Sequence, residues 1–405
     1  MPHLAKVMVT RVPPKPFDEE VFEAVQRVLD EFGVDKIVGS GDRVLVKPNI
    51  CSDNLWITTD RKVYYSIAVY LKELGCKVTI GENPVINTPS KKVFEEMKEL
   101  KKVAEKAGVE VVNLRFQGFK KVRVPNPHLF EELEVSEYAL KADAIFSVPT
   151  MRKHGLSGLT LSLKNLFGLV SLRQRYIIHS RSLYWGLVEI AKVLKDKIKL
   201  VVIDGILATL NGSLVPTSIL VGSDDMVAAD AVTAWTLGWN PYKLEVVKYG
   251  EEAGVGVADL SKIELIGITW EELKEIREKV TPYFGGAWEN PVKVGEKLGV
   301  EVVLGDPCPT CERNLSKVLQ EYKPEDFQNA PKIAIIVGPN AKPVPGKLNI
   351  IVGECLKKYA GKGIFVSFCP VYTHDLKEAL NYAIGKSEKI TRLWEKLLVL
   401  IDKPI

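Results

Sequence analysis

What this chain lacks narrows its class first. No stretch approaches the 18 or so consecutive apolar residues of a membrane-spanning helix. The opening residues MPHLAKVMVTRVPPKPFDEE have no long apolar core and turn acidic at once, so no secretory signal is expected. Together these absences predict a cytoplasmic protein with no membrane partner. Charge of one sign is missing too. The 55 Lys and Arg against 51 Asp and Glu leave a net +4, no global basic field, and nucleic acid as an unlikely partner; any basic site has to be local. No Walker loop, no glycine fingerprint opening a helix, no internal repeat and no low-complexity tract is present. Gln is scarce while Lys and Glu are frequent in mixed surface segments, a composition that leans towards a thermophile.

What is present is ordinary in bulk: 405 residues, 46% apolar and 26% charged, enough for two or three domains with a sizeable core. Short Val- and Ile-rich runs alternate with helical patterns throughout. This predicts an α/β fold with a mostly parallel sheet covered by helices over 1–280, and a second, smaller α/β domain over 285–405. Helices are expected near 18–33, 90–107, 180–197 and 373–385, and another after Thr58 or Thr59 as N-cap.

The segment FSVPTMRKHGLSGLTLSLKNLFGLV, residues 146–170, stands apart. From Ala144 to Val188 there is no Asp or Glu, where about five or six are expected, yet six Lys or Arg and two His occur. A surface free of carboxylates and rich in cations suits an anionic small molecule; the bland alternative is a buried helix and loop whose basic residues reach solvent. His154 and Lys153 are candidate proton-transfer residues beside Arg152, with Lys164 and Asp204 as further catalytic candidates. Lys47 and Asn49 end a strand, where α/β sheets bind ligands. Ser157, Thr160 and Asn165, with Gly155 and Gly158, offer hydroxyls, an amide and backbone N–H groups to a phosphate or carboxylate. Arg173, Arg175, Tyr176, His179 and Arg181 form a basic-aromatic cluster expected as a lid or a solvated loop. For Asp204, Asp224, Asp225 and Asp230 the competing role is capping of turns and helices.

Six cysteines in a chain of this kind mean free thiols or metal ligands, a disulfide remaining open for a heat-adapted source. Cys308 and Cys311 lie at a helix start, and Cys355 and Cys369 each follow a strand. Strand ends of a parallel sheet share one edge, so the four thiols are expected to converge. Four thiolates suit an iron–sulfur cluster, 4Fe-4S above all; zinc uses the same ligands, and ordinary cysteines at a buried strand edge are the third possibility. Cys51 and Cys76 are expected in or near the core.

The runs VLVKPNI, TTDRKVYYSIAVYLKELGCKVTIGENP, VPTMRKHGLSGLTLSLKNLFGLV, VVIDGI and VGSDDMVAADAVTAWTLG, in that order over about 40–270, resemble the domain of unknown function 362 family. The resemblance implies an α/β domain that is often joined to iron–sulfur modules, and it implies no activity. The chain departs from the usual arrangement in having no ferredoxin-like tandem cysteine run, so its C-terminal unit looks like an alternative cluster module. A more distant likeness is to the nickel-dependent lactate racemase fold; no residue is carried over from it.

Three functions follow as expectations. The first is an iron–sulfur protein with an anion pocket, doing redox or cluster-assisted chemistry on a small carboxylate or phosphate compound. The second is a non-redox racemase, isomerase or lyase using Lys and His, with zinc or no metal at the cysteines. The third is a protein that passes electrons or clusters to a partner docked on the basic stretch.

Overall fold

Hydrophobic runs too short for helices become strands, and the amphipathic segments between them become the covering helices. The computed structural model describes residues 4–50, 57–84, 98–284, 288–388 and 390. The chain divides into two units. The first comprises Met1–His154, Leu159–Gln174 and Trp185–Gly285; the second comprises Gly155–Gly158, Arg175–Tyr184 and Gly286–Ile405.

In the first unit the strands are β1 (Ala5–Arg11), β2 (Arg43–Pro48), β3 (Lys77–Glu82), β4 (Glu110–Asn113), the hairpin β5 (Phe119–Arg123) and β6 (Glu132–Ser136), β7 (Ala144–Val148), β8 (Thr150–His154), β9 (Gly158–Thr160), β10 (Ile198–Leu210), β11 (Ser213–Val215), β12 (Ile219–Ser223) and β13 (Ile263–Ile266). The sheet runs β13-β1-β12-β10-β7-β2-β3-β4. β2 pairs in parallel with β3 and β7, β4 with β3, and β10 with β7. β12 is the exception, antiparallel to both β1 and β10. Its connection explains why. β10 turns back at Asn211 and Gly212, both at positive φ, into β11, and so short a return leaves no length for the crossover a parallel neighbour needs.

One face of this sheet is packed by the helices Asp18–Glu31 and Arg61–Glu73. Val21, Val25, Val28, Ile67 and Leu71 are fully buried there against Val44, Val46, Phe146 and Leu200. Each such side chain contributes about 1.5–3 kcal/mol of burial. Two details differ from the sequence expectation. The N-cap of Arg61–Glu73 is Asp60, whose carboxylate accepts the Lys62 N–H, because the Thr59 hydroxyl is bonded to Val148 O and Asn49 N. The helix expected over 180–197 is Leu183–Leu194, and a further helix that was not expected, Leu172–Arg181, precedes it. The basic-aromatic cluster expected as a loop is therefore helical, with Arg175, Tyr176 and His179 buried. Lys98–Ala107 is helical, while 90–97 of the helix expected there lie outside the described residues.

In the second unit β14 (Glu301–Leu304), β15 (Ile333–Val337), β16 (Leu348–Val352) and β17 (Ile364–Val366) form an all-parallel sheet in that order. Val302, Ile335 and Ile350 face Leu315, Val318 and Leu376 of the helices Pro309–Leu319 and Thr373–Ala383. Ala334, Ile336 and Ile351 face the other way, onto Leu356. Alternate residues thus feed two apolar layers, as a strand covered on both faces requires. Among the described residues no helix is long and apolar enough to cross a membrane.

Candidate functional site

In the first unit the carboxyl ends of β2 and β3 meet in a buried polar knot. Lys47 is 0% exposed, and its ammonium donates to Glu82 Oε2 (2.8 Å), Asn165 Oδ1 (3.0 Å) and Pro48 O (3.2 Å). The Asn165 amide in turn donates to Lys47 O and Ser147 Oγ, and the Ile50 N–H reaches Glu82 Oε2. Gly168 is glycine because of this knot. A Cβ there would lie 2.2 Å from Glu82 Oε1 and 2.6 Å from Lys47 Cε. Lys47 and Asn165, expected to face a ligand, are thus brought together as interior members of the strand edge. Asn49 is buried beside them, its backbone exchanging hydrogen bonds with Thr59.

Arg152, Lys153 and His154 are half-buried at the end of β8. Arg152 Nη2 reaches the buried Thr160 hydroxyl at 3.4 Å. Lys164 lies with its ammonium 4.6 Å from the centre of the Phe167 ring, a cation–π contact. It sits in the short helix Ser162–Asn165, which is fixed from beneath: the buried Asp230 accepts the Ser162 N–H and hydroxyl and the Leu163 N–H. Arg173 stands apart, exposed and 3.8 Å from Glu134.

Asp204 is buried within β10, taking the Asp60 N–H at 2.7 Å and the Ile206 N–H at 3.0 Å. Burial, reinforced by the nearby Asp60 charge, pushes its carboxyl up to about 7. Asp230 is likewise pushed by burial to about 7. Asp225 caps the helix Met226–Thr236 through the Val227 and Ala228 N–H groups.

The second unit holds the thiols. Cys308 is the N-cap of Pro309–Leu319, with proline at the position that has no N–H to satisfy, and its sulfur accepts the Cys311 N–H at 3.4 Å. Cys311 is buried, and its sulfur accepts the Val371 N–H at 3.5 Å. Cys355 follows β16, and Cys369 follows β17 and precedes a cis proline. A hydrogen bond with Cys308, then burial and the charges of Cys308 and Cys369, raise the Cys311 thiol well above its ordinary value. Cys355 is exposed on one side, yet the protein packed around it, with the Cys308 charge, pushes its thiol up to about 11. Cys311 thus interacts with Cys308 and Cys369, and Cys355 with Cys308, and all four are free thiols. Among the described residues no three His, Cys, Asp or Glu side chains are gathered closely enough to hold a single metal ion. Cys76 is a buried free thiol donating to Gly39 O; Cys51 lies outside the described residues.

Two pieces of the acid-free stretch belong to this unit. Tyr184 donates to Leu156 O at 3.1 Å, and its hydroxyl is 3.9 Å from Cys308 Sγ. Arg313 donates to Gly155 O and to Asn314 Oδ1 (3.4 Å), while Asn314 holds Val371 O at 2.8 Å. His179 Nδ1 is 3.3 Å from the Tyr372 hydroxyl, and its carbonyl accepts the Cys369 N–H. Ser157 is buried here. Sequence reasoning did not single out Glu82, Gly168, Tyr184 or Arg313. An acid closing an apolar strand was a usable signal for Glu82, whereas nothing local marks Arg313 in CERN as buried.

Residues 44–235 match the model of a family described as Domain of unknown function (DUF362). A protein of Synechocystis sp. named thylakoid-associated protein is 25% identical over 237 residues, 55% of this chain and 71% of that one. Among solved structures, the lactate racemase apoprotein of Thermoanaerobacterium thermosaccharolyticum is similar over 55% of this chain and 54% of its own, with TM-score 0.36 and 14% identity. A structural-genomics protein of Thermotoga maritima is similar over 60% of each chain, with TM-score 0.35 and 12% identity. This chain thus spans less than two thirds of either solved protein.

Proposed function

Since residues 44–235 of this chain belong to the DUF362 family, whose name assigns no activity, the function has to come from its own side chains, and we propose an iron–sulfur protein that also binds a small carboxylate or phosphate compound. The observation that carries this is the second unit's donor set: four thiols, three of them delivered at or just past the ends of β14, β16 and β17, with the fourth one turn into the helix. An all-sulfur set is soft and suits iron–sulfur chemistry. Four ligands of one zinc ion would stand about 3.8 Å apart, from a tetrahedron with ~2.3 Å bonds. A four-iron cube holds its cysteines more widely than that, and four cysteines from one strand edge and one helix start are the number such a cube takes.

When bound, the cluster supplies one-electron transfer. Cys308, Cys311, Cys355 and Cys369 are its ligands in this reading. The Cys311 and Val371 N–H groups direct partial positive charge at the sulfurs of Cys308 and Cys311, which favours the thiolate and the more negative oxidation state. The anion site in this reading is the end of β8, where Arg152, Lys153 and His154 supply charge and a titratable imidazole, with Thr160 and Lys164 nearby in the chain. Lys47, Asn165 and Asp230 serve it from inside by fixing the turns that carry those groups.

Anaerobic purification with iron, sulfide and zinc analysis tests the reading. A brown protein absorbing near about 400 nm and bleached by dithionite, with iron and labile sulfide, is expected. A colourless protein with stoichiometric zinc would return the function to the non-redox alternative.

A further inference from the structure

Arg313 lies two residues past Cys311 in the helix Pro309–Leu319, and it is only 7% exposed. Its Nη2 is bonded to Gly155 O and Asn314 Oδ1, yet its Nε has no hydrogen-bond partner among the described residues. Among the described residues it makes no salt bridge to a carboxylate. Leaving a guanidinium so placed is expensive unless negative charge develops nearby. Its Nη2 holds Gly155 O, while the next carbonyl, Leu156 O, takes the Tyr184 hydroxyl that stands 3.9 Å from Cys308 Sγ, so the guanidinium is tied to the stretch of chain beside the thiols. A guanidinium stays protonated in a protein, so its charge is permanent.

We propose that Arg313 is the counter-charge of the cysteine centre, a positioning residue that raises the reduction potential of the cluster held there. This rests on the iron–sulfur reading above. One electron added to a 4Fe-4S cluster with four thiolate ligands takes it from two negative charges to three, with no proton or bond change required. A fixed positive charge in a low-dielectric surrounding stabilises the three-charge state more than the two-charge state. The carbonyl contacts alone would make Arg313 a strap on Gly155, and the two roles separate by charge. Gln can still donate to Gly155 O but carries no charge; Lys keeps the charge.

The test is an anaerobic redox titration with dithionite as the electron donor, following cluster absorbance, on the full chain and on Arg313→Gln and Arg313→Lys. Expected is a shift of the midpoint to more negative potential in Arg313→Gln, with Arg313→Lys close to the parent. A loaded Arg313→Gln with the parent's midpoint overturns the inference and leaves the iron–sulfur function standing. Parent protein without iron and sulfide takes down both. If Arg313→Gln folds by circular dichroism but takes up no cluster, Arg313→Lys decides. A Lys variant loaded at the parent's midpoint supports the charge role, and a folded Lys variant that takes up no cluster ends it.

Discussion

The Asn165 amide oxygen lies 3.0 Å from the Lys47 ammonium, although 118 residues separate them in sequence. With Glu82 they close a charge pair whose side chains are 1% and 5% exposed. Removing one partner leaves the other buried and uncompensated.

Glu82→Ala is therefore expected to cost roughly 3–5 kcal/mol of stability, read from urea midpoints. Gly168→Ala should cost roughly 1–3 kcal/mol through overpacking, since its new methyl meets Glu82 Oε1. If both variants unfold at the parent's midpoint, the knot is not a support of the strand edge.

At the thiols, Cys308→Ser and Cys369→Ser should each reduce bound iron and sulfide to well under half of the parent, or roughly a tenth if the site tolerates no substitute ligand. Cys76→Ser, whose sulfur is bonded to Gly39 O away from the four, should leave iron unchanged. Equal iron in all three variants would mean that the metal is elsewhere.

For the basic end of β8, a Lys153→Ala/His154→Ala double variant should bind inorganic phosphate or small carboxylates at least about tenfold more weakly, the loss of one or two charge-assisted hydrogen bonds. Calorimetry against a panel of such anions measures it. Unchanged binding of every anion that the parent binds would remove the site.

Asp204 and Asp230 keep their protons to about pH 7, chiefly because burial penalises the charge, and Glu245 does the same. In the unfolded chain an aspartate titrates near 3.8. Between those values the folded state holds protons that the unfolded state has released. Stability contributed by these groups therefore falls as pH rises through that window and levels off above it. Urea midpoints should be lower at about pH 8 than at about pH 5.5, by at least roughly 1 kcal/mol, and Asp204→Asn should flatten the slope while lowering stability at both.

The alternation of strands and helices was legible because burial on both faces leaves continuous apolar runs such as LVVID and IAIIV. The parallel edge that carries Cys308, Cys355 and Cys369 followed from the same runs. The antiparallel placement of β12 did not, since a two-residue turn at Asn211 and Gly212 reads as a loop until its partner strands are known. Nor did the interior role of Lys47. A lysine at a strand's carboxyl end looks alike whether it meets a ligand or Glu82, and only tertiary pairing separates the two. The helix Leu172–Arg181 was missed because its basic and aromatic residues show little amphipathic order, yet Arg175, Tyr176 and His179 are buried all the same.

The second unit is assembled from three separate pieces of chain, Gly155–Gly158, Arg175–Tyr184 and Gly286–Ile405. Its last strand, β17, is made roughly two hundred residues after its first piece. During synthesis Tyr184 waits for Cys308, and Gly155 waits for Arg313, until the whole intervening sheet has emerged. Assembly of the cysteine-bearing unit is thus a late event in the life of the chain. A fragment of residues 286–405 made alone should accordingly melt at a lower temperature than the same segment within the full chain, as proteolysis or calorimetry can read.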